Sequence, residues 1–123
     1  MRTTSLLLVF LAASCATGWR EHALRGADIA LGALKAADAI AAPIVRTRCV
    51  VVSERCAGIP CPALDDCHRL ENRLLAIIRA CTESLNVVFL AIKVNDEAGA
   101  VSALMTAGAH VKELQRLVGE IVH

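Results

Sequence analysis

The chain has 123 residues, which is enough for one domain and too few for two. Thirteen lysines and arginines nearly balance twelve aspartates and glutamates, for a formal net charge of +1, and the only aromatic residues are one tryptophan and two phenylalanines. Nucleic-acid binding needs an excess of cations and often stacking rings, so we expect no nucleic-acid partner. The abundance of alanine and leucine favours helix over strand.

The first fifteen residues have the pattern of an export signal. Arg2 supplies a positive charge, the next twelve residues carry none, and their apolar part is the short run Leu6–Ala13. That run is much shorter than the ~20 residues of a membrane-spanning helix. We predict that residues 1–14 are a signal peptide and that residues 15–123 form a single helical domain. After residue 15 the longest uncharged run is Ala98–Val111, with fourteen residues, so we expect no membrane-spanning helix anywhere after residue 15.

The segment Leu11–Cys15, Leu-Ala-Ala-Ser-Cys, resembles the lipobox of bacterial lipoproteins. In that family the signal is cleaved directly before the cysteine, whose thiol receives a diacylglycerol. The resemblance implies lipidation of Cys15 and anchoring at the periplasmic face of the cell envelope. Ala12 stands where the family prefers Leu or Val, and two alternatives stay open. Ordinary signal cleavage after Ala16 would give a soluble secreted protein, and a third possibility is that the segment stays uncleaved.

A first helix is predicted over about residues 19–55. Its apolar or small residues follow near-heptad spacing: Leu24, Ala27, Leu31, Leu34, Ala41, Val45 and Val52, with Asp38 intruding. Pro43 has no amide hydrogen to donate to Ala39, so it must kink or divide this helix. Gly58 is typical of a helix C-terminal cap, and Pro62 of the first position of a helix. A turn between two helices is therefore expected at residues 56–62.

A second helix is predicted over about residues 62–94, and a third over about residues 96–121. The second carries a wide apolar stripe: Cys67, Leu70, Leu74, Ile77, Cys81, Leu85, Val88 and Ala91, flanked by Ile78 and Ile92. Leu74 and Ile78 are expected to be core residues. The stripe of the third helix is Val101, Leu104, Gly108, Val111, Leu114, Val118 and Ile121.

The connection between the second and third helices decides the fold. Asn95, Asp96 and Glu97 offer a cap and first-turn acids for a new helix. A turn at residues 95–99 would bury the last stripe, whereas a straight helix would leave it exposed unless the chain oligomerises. We predict an all-α fold, a long antiparallel hairpin with a third helix folding back as a coiled-coil-like three-helix bundle.

Five cysteines follow the lipobox, and in an exported protein such residues usually form disulfides. Cys49 and Cys67 stand at similar distances from the predicted turn, and Cys56 and Cys61 flank it. We predict these two pairs as disulfides. Cys81 is then left unpaired on the buried stripe, where a lone cysteine is usually a small core residue.

The segment Cys56–His68 also holds four potential zinc ligands, but its cysteine spacings are longer than the tight knuckles of zinc sites. His68 and Glu71 could share a helix face, as could His110 and Glu113. Di-iron bundles use the reverse order, Glu-x-x-His, with further inward glutamates, so we interpret these residues as solvent-facing. We expect no metal, no cofactor and no catalytic residues, and the chain is not predicted to be an enzyme.

These patterns predict an exported, lipid-anchored small helical envelope protein with a structural or protein-interaction role. The membrane would be bound through lipid on Cys15, and the partner would be an unidentified envelope protein or a second copy of the chain. The organisation resembles that of small helical lipoproteins of bacteria and their phages, including outer-membrane lysis subunits. The alternative is a secreted, disulfide-stapled helical carrier of an apolar ligand, against which the scarcity of aromatic residues argues.

Overall fold

A computed structural model of the protein describes residues 18–57 and 59–123. Over these residues the backbone forms three α-helices, α1 (Trp19–Cys56), α2 (Pro62–Lys93) and α3 (Glu97–Val122), and no strand. Each helix packs against the other two. The predicted all-α three-helix bundle is confirmed, and each helix end lies within one residue of its predicted position. The predicted signal peptide and Cys15 lie outside the described residues.

The proline within α1 does not divide the helix. Pro43 lies in the interior of α1, which continues to Cys56. Pro43 and Ala39, whose carbonyl loses its helical partner, are both exposed, so water can satisfy that carbonyl. The Pro43 carbonyl accepts a hydrogen bond of 2.8 Å from the Thr47 hydroxyl.

The two turns reverse the chain and create the antiparallel arrangement. Ala57 ends α1 in the left-handed conformation, with φ 49° and ψ 39°. The predicted cap, Gly58, lies outside the described residues. At the other turn Asn95 has a positive φ of 62°. The Asp96 side chain then caps α3 by accepting a 2.9 Å hydrogen bond from the Gly99 amide. The chain therefore turns before α3, and the alternative of one straight helix is wrong.

The buried stripe of α2 follows the predicted phase, whereas those of α1 and α3 are partly displaced. Every predicted stripe residue of α2 is buried except Leu70, which is half-buried. Ile78, expected in the core, and the flanking Ile92 are also half-buried and pack against the core. In α1, Ala23 is buried and Leu24 is 41% exposed, contrary to expectation. In α3, four buried residues replace predicted neighbours: Ala100, Ala103, Ala107 and Leu117. Ala100, Ala103 and Ala107 take these positions because small side chains allow the helix axes to approach closely, and Val101 and Leu104 flank the contact.

The bundle has two distinct ends. The hairpin end comprises the α1–α2 turn and the end of α3, where the Arg48 guanidinium donates a 2.6 Å hydrogen bond to the Ile121 carbonyl. The N-terminal end comprises Gly18, Trp19 and the α2–α3 turn. There a small second core of alanines forms beside the half-buried Trp19: Ala23, Ala91 and Ala100. The N-terminal end is thus packed mainly by the smallest apolar side chain.

Candidate functional site

The hairpin end gathers the cysteines that the sequence singled out. The Cα atoms of Cys49 and Cys67 are 5.6 Å apart, and those of Cys56 and Cys61 are 5.9 Å apart. Both separations fall within the range of about 4.4–6.8 Å that is usual for disulfides. The structure therefore joins the two predicted pairs, one between the helices and one across the turn.

A cluster of possible metal ligands lies beside the inter-helix bridge. One ligand atom each from Cys49, His68 and Glu71 lies within 4.8 Å of the others. His68 Nδ1 is 3.9 Å from Glu71 Oε2; the side chain of His68 is 57% exposed and that of Glu71 is 39% exposed. A metal would need the thiolate of Cys49, but that sulfur is bonded to Cys67. The bridged form is therefore a poor metal site.

Sequence reasoning placed the potential ligands differently. It grouped the consecutive segment Cys56–His68, whereas the fold brings Cys49 to His68 from the preceding helix. The antiparallel register that suggested the Cys49–Cys67 pair also implies this approach. The cluster could therefore have been predicted from that register.

Cys81 is the free cysteine of the described residues, and its side chain is fully buried. Burial raises the pKa of its thiol, and the negative charge of Glu113 raises it further. The thiol is therefore neutral at physiological pH and unsuited to act as a nucleophile. It packs in the central core among α1, α2 and α3.

Polar chemistry is confined to the surface of the described chain. No polar or charged residue between Gly18 and His123, Gly58 aside, is buried. Asp38, which intrudes on the predicted stripe of α1, is exposed. The ion pair that links α2 to α3, Arg73 to Glu120 at 3.5 Å, is also open to solvent, where such pairs contribute little. This surface offers no water-excluded setting for acid–base chemistry.

The exposed side of α2 is unusually apolar near the N-terminal end. By length and composition α2 could cross a membrane, with a mean hydropathy of 1.7 in its most apolar stretch. The expectation from uncharged runs missed this helix because Arg79 and Glu83 interrupt it. Only 33% of that stretch is buried inside the bundle. The core helix of a water-soluble bundle passes the same test, so this property alone does not place α2 in a membrane.

No family model matches the chain, and no curated protein or solved structure matches it either. A three-helix bundle does not by itself imply an activity, because one fold can host many unrelated functions. The function is therefore inferred from the N-terminal segment, the cysteines and the exposed surface.

Proposed function

We propose that the protein is an exported, lipid-anchored small helical component of the bacterial cell envelope, with a structural or protein-interaction role. The observation that carries the proposal is the lipobox-like segment Leu11–Cys15, which ends four residues before Trp19, the first residue of α1. A lipid on Cys15 would be attached only four residues before the first helix of the bundle. A role of the phage lysis-lipoprotein type is a narrower form of the same proposal.

The cysteine arrangement supports an oxidising compartment. The pairs Cys49–Cys67 and Cys56–Cys61 lie at disulfide distances. Disulfides persist in the periplasm and outside the cell and are rare in the cytosol. Both pairs lie at the hairpin end, whereas Trp19, which follows Cys15 by four residues, lies at the N-terminal end of the bundle.

The surface supports interaction rather than ligand transport. A carrier of an apolar ligand needs an enclosed, mostly apolar pocket. The grooves along α3 and between α2 and α3 are open to solvent. The interior is instead filled by side chains of all three helices. The partner would therefore meet an exposed helical face, and it would be another envelope protein or a second copy of the chain.

Cys15→Ser tests the anchor directly. We expect the wild-type chain, expressed in a bacterium, to stay in the membrane fraction after a high-salt wash and to carry a mass increment for acyl chains. Cys15→Ser should move to the soluble fraction with the same helical circular dichroism. Cys81→Ala is the matched control, because it removes a cysteine from the core and should leave the protein in the membrane.

Two results would contradict the proposal. Retention of Cys15→Ser in the washed membranes would show that another segment is the anchor. A soluble wild-type protein that begins at Thr17 and carries no acyl group would favour the secreted alternative.

A further inference from the structure

We propose that the N-terminal end of the bundle lies on the membrane and inserts an apolar face formed by Val87, Leu90, Val94 and Met105. The inference rests on the proposed lipid anchor and adds to it the surface that the membrane covers. Its occupant is the bilayer surface, and the contact is apolar rather than electrostatic.

The chain between the proposed anchor and the bundle is short. Cys15 precedes Gly18 by three residues. Three residues span at most about 11 Å when fully extended. A lipid on Cys15 would therefore hold the N-terminal end of the bundle within about that distance of the headgroups, whatever path the segment takes.

The exposed side of α2 changes from charged to apolar along its length. Over the first two-thirds of α2 this side carries six charged residues: Asp65, Asp66, Arg69, Arg73, Arg79 and Glu83. Between Glu83 and Lys93 it carries none. Val87, Leu90 and Val94 are instead 54%, 66% and 66% exposed. Their i, i+3, i+7 spacing places them on one side of the helix.

Helix α3 extends this uncharged surface. Val87 of α2 lines a groove with Ser102 and Thr106 of α3. The same two residues line a second groove with Met105, whose side chain is 61% exposed. Ser102 and Thr106 therefore connect Val87 to Met105 across two helices. Glu97, which also lines the second groove, marks the edge of this uncharged surface, and no charged residue occurs between Glu97 and Lys112.

The residues around the apolar face suit the boundary between water and lipid. Trp19 lies at the same end, with the Arg20 guanidinium 5.8 Å from its ring centroid. Tryptophan is enriched at membrane–water interfaces, and lysine and arginine can extend their charges to the headgroups. Lys93 and Arg20 are outnumbered there by Glu21, Asp96 and Glu97, so insertion should not require anionic lipid.

A second copy of the chain fits this face less well than a bilayer. A stable protein interface uses about 20–30 residues on each side, far more than the four that define this face. Weak contacts suffice at a membrane, however, because a tether converts binding into an intramolecular event at high effective concentration. A small apolar face next to the anchor is what a tethered domain needs.

Trp19 is the single tryptophan of the chain and reports on this end without a label. The experiment reconstitutes full-length lipidated protein into phosphatidylcholine vesicles with brominated acyl chains and measures quenching of Trp19. Leu90→Ser/Val94→Ser should lower the insertion equilibrium about tenfold or more, and quenching with it. Leu90→Ser alone should give an intermediate value. Val50→Ser/Ile59→Ser is the matched control, because those side chains are 57% and 70% exposed near the hairpin.

Flotation of the vesicles separates this inference from the proposed anchor. The inference is supported if all variants float with the vesicles and only the Leu90 and Val94 variants lose quenching. It is overturned, with the anchor intact, if all variants float and are quenched equally. Failure of the wild type to float would overturn the anchor and the inference together. A wild-type dimer in detergent that Leu90→Ser/Val94→Ser dissociates would reassign the face to self-association.

Discussion

Leu74 and Leu75 are adjacent leucines on α2 with opposite environments, so they test the packing of the bundle as a matched pair. Leu74 is 2% exposed and Leu75 is 48% exposed. Counting seven residues along α2 from Cys67 places Leu74 opposite the part of α1 near Ala41, since the two helices are antiparallel and joined at Cys49. The side chain of Ala41 is too short to fill the cavity that truncation of Leu74 would leave. Leu74→Ala should therefore destabilise the protein by about 3–5 kcal/mol, the upper part of the usual range for such changes.

Leu75→Ala should cost under about 1 kcal/mol, because half of its side chain already contacts water and alanine is the better helix former. Urea denaturation followed by circular dichroism at 222 nm gives both values. With the slope unchanged, the midpoint of Leu74→Ala should fall by roughly 2 M, on the slopes usual for a domain of this size. Equal losses for the two variants would refute the assignment of α2's buried side.

Three further predictions concern the bridge, the free thiol and a helix contact. Replacing Cys49 and Cys67 together by alanine should lower the free energy of unfolding, measured by urea denaturation, by about 3 kcal/mol. This value follows from the chain-entropy model for a sequence separation of 18. Recovery of both residues as free thiols, by peptide mapping of the exported wild type, would contradict this bridge. The pKa of Cys81 is raised by burial, so its contribution to stability should be complete below the ordinary thiol value of about 8.5 and decline as pH rises through the folded value. Cys81→Ala should remove that part of the decline, and a parallel pH profile in the variant would contradict it. Gly26→Ala should be less stable than Gly32→Ala by up to about 1 kcal/mol in the same assay. An added Cβ at position 26 would lie 2.7 Å from the Cδ2 methyl of Leu104 on α3, which must shift, whereas at position 32 it would contact nothing. A Gly26→Ala variant at least as stable as Gly32→Ala would contradict the predicted cost of displacing Leu104.

The sequence predicted α2 better than its neighbours for a physical reason. Most of α2's buried stripe consists of large apolar side chains, so the side with the largest residues is also the buried side. In α1, Ala23 and Leu24 belong to two alternative stripes that are one residue apart. The larger side chain of leucine favoured the prediction that the stripe with Leu24 is buried. The structure buries the alanine because the distance between helix axes, which no single helix encodes, selects the smaller residue. The close contact of Gly26 with α3 has the same origin.

The cysteine pairs were predictable because they depend on register, and a short turn fixes register. Once residues 57–61 are a turn, Cys49 and Cys67 must face each other at similar height on adjoining helices. The cluster of Cys49, His68 and Glu71 was missed because its members come from two helices, and spacing along the chain shows only the two on α2. The apolar character of the exposed surface could not be predicted either, since hydropathy does not distinguish a buried apolar residue from an exposed one.

The two ends of the bundle differ in what holds them together, and this difference bears on the proposed membrane contact. At the hairpin end, large buried side chains such as Val45, Leu117 and Ile121 combine with two cysteine bridges. At the N-terminal end the core consists of alanines, each of which buries little apolar area. Apolar area is nonetheless abundant there, but it lies outside, on the apolar face. A bilayer that covers this face would supply the burial that the alanine core lacks, so anchoring and folding of the N-terminal end would stabilise each other.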